Sequence, residues 1–162
     1  MYLSRRPDWT QETCMSEDQP PMLLLVEDDP GHARLIERNL RRAHFPYAIV
    51  LLRDGQAALD YLLPAQEERG TRPPPPCLIV LDLNLPGCSG VEVLDRLKSD
   101  ASTRHIPVIV LTTTDDRREI EECYALGCNA YLTKPVAYDQ FVEVIQKLGW
   151  WLTEIELPRG SS

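Results

Sequence analysis

The sequence is poor in basic residues. It has 17 Lys plus Arg against 25 Asp plus Glu in 162 residues, and its formal net charge is −8. Proteins that bind nucleic acid neutralise phosphates with a clustered excess of Lys and Arg, which is missing here. We therefore expect no nucleic-acid partner.

Long apolar runs are missing as well. The runs Met22–Val26 and Cys77–Leu81 have five residues each, whereas a membrane-spanning helix needs about 20. The basic residues near the start are followed by polar sequence rather than by the apolar stretch of a signal peptide. The five cysteines form no Cys-x-x-Cys pair, which is typical of reduced thiols in a cytosolic protein. We expect a cytoplasmic protein with no membrane contact.

The length leaves room for one domain, since domains commonly have about 100–200 residues. Residues 1–21 mix charged and polar residues without an apolar period and are expected to form a flexible leader. Residues 22–149 form the predicted domain, and residues 150–162 form an apolar C-terminal tail. A separate output domain is not expected.

The domain alternates short β-rich segments with segments of helical period. The β-rich segments are Leu23–Val26, Ala48–Leu52, Leu78–Leu81, Val108–Leu111 and Ala130–Thr133. A helical pattern follows each of them, and the first has Asp29 as a candidate cap with Pro30 at its first position. Five strands alternating with five helices predict an α/β fold, a parallel sheet covered by helices on both faces.

Polar residues follow four of the predicted strands. They are Glu27, Asp28 and Asp29 after the first, Asp82 after the third, Thr112 to Thr114 after the fourth, and Lys134 after the fifth. The carboxyl ends of parallel strands meet at one edge of a sheet. Several ionised carboxylates in one place require a cation, and oxygen ligands suit Mg²⁺. A carboxylate, a cation, a lysine and a hydroxyl together favour a phosphoryl-acceptor site.

Each of these signals has a structural alternative. Asp29 is also well placed to cap a helix, Lys134 followed by Pro135 is typical of a surface turn, and a run of threonines suits a strand end. Asp82 is less easily explained in this way, because an unpaired carboxylate at the end of an apolar run is costly to bury. The order of all the signals along the chain favours a shared site.

The sequence resembles the receiver domain of two-component response regulators, a CheY-like family. The resemblance rests on Leu24–Asp29, Leu81–Gly87, Ile106–Thr112 and Ala130–Pro135, and it extends from residue 22 to about residue 148. It implies a flavodoxin-like, doubly wound sheet of five parallel strands in the order 2-1-3-4-5, with five helices. It also implies a signalling protein rather than an enzyme.

The resemblance implies a role for each residue of the acidic site. Asp82 would receive the phosphoryl group from a sensor histidine kinase. Asp28 and Asp82 would bind Mg²⁺ directly, Glu27 would act through a coordinated water, and Asn84 would offer its backbone carbonyl.

The remaining site residues would act on the phosphoryl group and on the switch. Thr112 and Lys134 would bind phosphoryl oxygens, and Tyr131 would turn inward as Thr112 moves. The Lys134–Pro135 bond is expected to be cis. Thr113 departs from the pattern, since many members carry Ala or Gly there, and it could narrow the path of Thr112 and Tyr131.

The end of the chain, residues 150–158, resembles the single-domain regulators that pair with bacterial and cyanobacterial phytochromes. Two adjacent tryptophans there, Trp150 and Trp151, are costly to leave in water. We expect a homodimer through the fifth helix and the tail, with a fold-back onto the domain as the alternative. The output would then be contact with a downstream protein.

Two other functions are compatible with parts of the sequence. A pseudo-receiver would keep the fold as a binding module without phosphorylation, although Asp28, Asp82, Thr112 and Lys134 are all present. A phosphatase of the haloacid dehalogenase type also uses an Asp nucleophile and Mg²⁺. It places that nucleophile in an Asp-x-Asp pair after the first strand, where this chain has contiguous acids.

Overall fold

A computed structural model describes residues 21–64 and 73–155. Its five parallel strands form one sheet in the order β2-β1-β3-β4-β5, which confirms the predicted architecture. The strands are β1 (Met22–Val26), β2 (Ala48–Leu52), β3 (Leu78–Leu81), β4 (Val108–Thr112) and β5 (Ala130–Thr133). The helices are α1 (Pro30–Arg42), α2 (Gly55–Leu62), α3 (Gly90–Ser99), α4 (Arg117–Leu126) and α5 (Tyr138–Glu154).

The sheet separates two hydrophobic cores. Alternate residues of β1 point to opposite faces, so Leu24 packs with α2, α3 and α4 on one side while Leu25 packs with α1 and α5 on the other. The strands β1, β3 and β4 are buried along their whole length. This explains why they are apolar at nearly every position rather than alternating with polar residues.

Helix α1 begins as its sequence predicts. The Asp29 side chain accepts a hydrogen bond from the backbone N–H of His32 (2.9 Å), and Pro30 is the first helical residue. The cap holds the pKa of Asp29 below its usual range, chiefly through this hydrogen bond. Asp29 is therefore a helix cap, as the structural alternative proposed for it.

Helix α5 continues past residue 150, where the sequence suggests that a tail begins. Trp150, Trp151 and Leu152 are helical; Leu152 is buried, Trp151 is partly buried against the core that contains α1, and Trp150 is 67% exposed. The helix continues because Leu152 follows Leu148 by one helical turn and shares its buried face. The predicted leader up to residue 20 and the end of the tail, residues 156–162, lie outside the described residues.

None of the helices in the described ranges is long and apolar enough to cross a membrane.

Candidate functional site

The polar residues predicted to meet do lie at the carboxyl edge of the sheet. The backbone N–H of Asp82 donates to the carbonyl of Val26 (3.0 Å), and that of Lys134 donates to the carbonyl of Thr112 (2.6 Å). These bonds continue the pairing of neighbouring strands by one residue. The strand register therefore sets how the first site residues are placed relative to one another.

Three carboxylates form a cluster that could hold a metal ion. Glu27, Asp28 and Asp82 each offer one oxygen, and these oxygens lie within 4.8 Å of one another. Glu27 and Asp82 are buried, whereas Asp28 is exposed. Hard oxygen donors, with an open side that leaves room for water, fit Mg²⁺.

A buried ammonium group lies on the inner side of this cluster. Lys134 Nζ donates to Glu27 Oε2 at 2.5 Å and to Asp82 Oδ2 at 3.0 Å, and the lysine side chain is only 1% exposed. Burial raises the pKa of Glu27 to about 7, although its hydrogen bond with Lys134 and that positive charge oppose the rise. A divalent cation bound beside this carboxylate would favour its ionised form.

Asn84 connects the loop after β3 to the loop after β4. Its backbone N–H donates to Asp82 Oδ1 (3.2 Å), and its side-chain Nδ2 donates to the hydroxyls of Thr112 (3.3 Å) and Thr113 (3.1 Å). The hydroxyl of Thr113, the residue that departs from the family pattern, thus takes part in this bridge. The carbonyl of Asn84, named above as a metal ligand, stays a prediction.

Tyr131 is fully buried and points into the protein. Its hydroxyl donates to the carbonyl of Thr114 (2.8 Å), in the loop that follows Thr112, and its backbone N–H donates to the hydroxyl of Tyr124 (3.1 Å). Burial raises the pKa of Tyr131, so the hydroxyl remains a proton donor. The side chain is already inward while the Thr112 hydroxyl contacts Asn84, and the inward turn expected of Tyr131 stays a prediction.

The expectation of a cis Lys134–Pro135 bond is wrong for this structure. Every peptide bond among the described residues is trans. The trans form is the intrinsically preferred one even before proline, and with it Lys134 Nζ still contacts both Glu27 and Asp82.

Two residues at the site were not predicted from the sequence. His32 places Nδ1 3.3 Å from Lys134 Nζ. Gly90, the first residue of α3, lies against the backbone of Asp82, where an added Cβ would come within 2.2 Å of the Asp82 carbonyl oxygen. Glycine at a helix start is a weak signal, and nothing local relates a histidine in α1 to a lysine after β5.

This fold, with acids, a lysine and a hydroxyl at the carboxyl edge of its sheet, defines a class of signalling protein. The chain belongs to the response regulator receiver domain family, whose model matches residues 23–146. Receiver-domain response regulators act in two-component signalling.

Two similar proteins, Rcp1 and RcpA, are themselves response regulators. Response regulator Rcp1 of Synechocystis sp. is 37% identical over 144 residues, covering 88% of this chain and 97% of Rcp1. The Mn²⁺-bound structure of Rcp1 is 36% identical, covers 86% of this chain and 100% of that chain, and has a TM-score of 0.78. The structure of the phosphorylated cyanobacterial phytochrome response regulator RcpA is 36% identical, with coverage of 87% and 100% and a TM-score of 0.75.

Proposed function

We propose that Asp82 accepts a phosphoryl group from a phosphohistidine of a sensor kinase in a Mg²⁺-dependent reaction. The proposal rests on two sets of neighbours around the Asp82 carboxylate, one acidic and one basic. One side belongs to the acidic cluster with Glu27 and Asp28, and the other contacts the Lys134 ammonium. An oxygen of Asp82 attacks phosphorus, the phosphorus–nitrogen bond breaks, and its electron pair returns to the imidazole nitrogen.

The surrounding residues would neutralise and orient the reacting groups. Glu27, Asp28, Asp82 and the Asn84 carbonyl would hold Mg²⁺, which neutralises charge on the phosphoryl oxygens when bound. Lys134 supplies a fixed positive charge beside Asp82, and the Thr112 hydroxyl supplies a hydrogen-bond donor. The similar response regulator Rcp1 has a Mn²⁺-bound form, which supports the binding of a divalent cation by this chain.

The switch would follow from the contacts of Thr112 and Tyr131. A phosphoryl group on Asp82 would draw the Thr112 hydroxyl toward it, and this movement would lengthen the hydrogen bond that the hydroxyl accepts from Asn84 Nδ2. The β4–α4 loop would move with it. That movement would alter the hydrogen bond between Tyr131 and the Thr114 carbonyl and repack the face formed by α4, β5 and α5.

The proposed partners are a sensor histidine kinase and a downstream protein. We favour a phytochrome-type kinase because the similar structure of RcpA is that of a cyanobacterial phytochrome response regulator. The chain itself would act as a phosphoryl acceptor in the cytoplasm and not as an enzyme on other substrates.

We also propose a homodimer through α5. Trp150 is two-thirds exposed on a helix whose other face packs on α1. Trp151 and Leu152 pack at least in part on their own domain, so Trp150 is the most exposed apolar residue described at this end of α5 and the one best placed to contact a second copy. Tryptophan is enriched at the centres of interfaces.

Phosphoryl acceptance is tested by intact mass. After incubation with acetyl phosphate and Mg²⁺, the protein should gain the mass of one phosphoryl group, and the adduct should be lost on standing because an acyl phosphate hydrolyses. Excess EDTA should prevent the gain. If the wild-type protein gains no mass with Mg²⁺ present, the binding-module alternative is supported instead.

The dimer is tested by introducing a charged residue on α5. Trp150→Arg should convert a dimer to a monomer in sedimentation or light scattering, because a charge at an apolar interface centre is costly to desolvate. Gln140→Arg, an exposed position near the start of the same helix, is the matched control and should leave the mass unchanged. A wild-type monomer, or a dimer that survives Trp150→Arg, contradicts this interface.

A further inference from the structure

We infer that His32 is a positioning residue that holds the Lys134 ammonium in place for phosphoryl transfer. This inference rests on the proposed function, because it assigns His32 a part in the same reaction. His32 is in the first turn of α1, and its contact with Lys134 joins residues 102 positions apart along the chain.

The first argument is a count of donors on the ammonium group. Lys134 Nζ carries three N–H donors and no acceptor, and its side chain is almost fully buried. Glu27 Oε2 and Asp82 Oδ2 accept from it at 2.5 and 3.0 Å. His32 Nδ1, at 3.3 Å, is the third partner. A buried N–H without an acceptor is costly, so the histidine completes the surroundings of the ammonium.

The second argument concerns the tautomer of His32. Because a lysine ammonium only donates, the contact requires Nδ1 of the ring to accept and places the ring proton on Nε2. An acceptor that carries no charge leaves the balance between Lys134 and the two carboxylates unchanged. The ring thus fixes the position of the ammonium without weakening its attraction for phosphoryl oxygens.

The third argument is the way the ring itself is held. It packs edge-on against Phe141 of α5, with centroids 5.3 Å apart and an interplanar angle of 85°. The backbone N–H of His32 is fixed by the Asp29 cap. With one side in van der Waals contact and the backbone anchored, the imidazole can direct Nδ1 at a defined point.

During phosphoryl transfer, the N–H donors of Lys134 would contact different groups. When a phosphoryl oxygen arrives at Asp82, the ammonium must turn at least one N–H toward it. Glu27 and His32 then anchor the other donors, so that the charge stays beside Asp82. Without the histidine acceptor, the ammonium loses one of the groups that orient it.

The experiment compares two replacements of similar shape. His32→Asn keeps an acceptor at the position of Nδ1, and His32→Leu places a methyl group there. With acetyl phosphate and saturating Mg²⁺, we expect His32→Leu to be phosphorylated about tenfold more slowly than wild type, and His32→Asn to be within about threefold of it. Mg²⁺ affinity, measured by isothermal titration calorimetry, should stay within about twofold in both variants.

A second readout does not depend on phosphorylation. The ¹⁵N spectrum of the imidazole in the metal-free wild-type protein should show Nδ1 without a proton and Nε2 with one; the opposite tautomer overturns the inference. So do equal rates for Leu, Asn and wild type, or a parallel loss of rate and Mg²⁺ affinity in both variants. If wild type itself accepts no phosphoryl group, the proposed function fails, while the ¹⁵N spectrum still tests the contact.

Discussion

Replacing Asp82 with Asn is expected to abolish phosphoryl acceptance, leaving no detectable adduct after incubation with acetyl phosphate and Mg²⁺. The amide has the shape of the carboxylate but is a very weak nucleophile, so the oxygen–phosphorus bond cannot form. The variant also removes one of the three carboxylates of the acidic cluster and its charge, and we expect Mg²⁺ binding to weaken about tenfold. Intact mass measures the first effect, and isothermal titration calorimetry with Mg²⁺ measures the second.

The fold should survive this substitution. The backbone N–H of Asp82 still pairs with the Val26 carbonyl, and the single amide oxygen of Asn can still accept from Lys134 Nζ or from the Asn84 N–H. Asp95→Asn, at an exposed position on α3, is the matched control and should be phosphorylated at the wild-type rate. An adduct that persists in Asp82→Asn would place the phosphoryl group on another residue and overturn the assignment.

The second large effect is a loss of stability, which we expect for Gly90→Ala. An added Cβ would lie 2.2 Å from the Asp82 carbonyl oxygen and 2.5 Å from the Leu83 Cα, and backbone atoms cannot move aside as a flexible side chain can. Either α3 shifts outward or the loop after β3 distorts. We expect a loss of about 3 kcal/mol in the free energy of unfolding, although alanine favours a helix over glycine by about 1 kcal/mol.

Urea unfolding measures this loss, and Gly31→Ala provides the control. Gly31 is also in the first turn of its helix, but the nearest atom to its added Cβ is the Asp29 Oδ1 side-chain oxygen at 3.1 Å. We expect its free energy of unfolding to change by less than about 1 kcal/mol. If Gly90→Ala were as stable as Gly31→Ala, the tight packing of α3 on the Asp82 loop would be contradicted.

The sheet could be predicted because its signals are local. Each strand is a short apolar run followed by a helical pattern, and the predicted strands agree with the structure to within one residue at either end. The site could be predicted in outline for a related reason. Asp82, Thr112 and Lys134 each mark the end of a strand, and parallel pairing brings strand ends together.

The remaining features depend on contacts that no local pattern encodes. The contact of His32 with Lys134 requires the exact placement of α1 over the end of β5. The role of Gly90 requires the separation of α3 from the β3 loop. Trp150 and Leu152 are both apolar in the sequence, yet Trp150 is exposed and Leu152 is buried. The difference arises because the two side chains lie on different faces of α5, and only the face of Leu152 packs on the core that contains α1.

Contacts run from the Asp82 site into both hydrophobic cores, one on each face of the sheet. Tyr131 belongs to the core that contains α2, α3 and α4, whereas Phe141, which supports the His32 ring, belongs to the core that contains α1 and α5. The site is thus the end point of two contiguous chains of contacts that run on opposite faces of the sheet. A change at Asp82 is therefore in contact with both faces of the sheet, through Tyr131 on the side of α4 and through His32 and Phe141 on the side of α5.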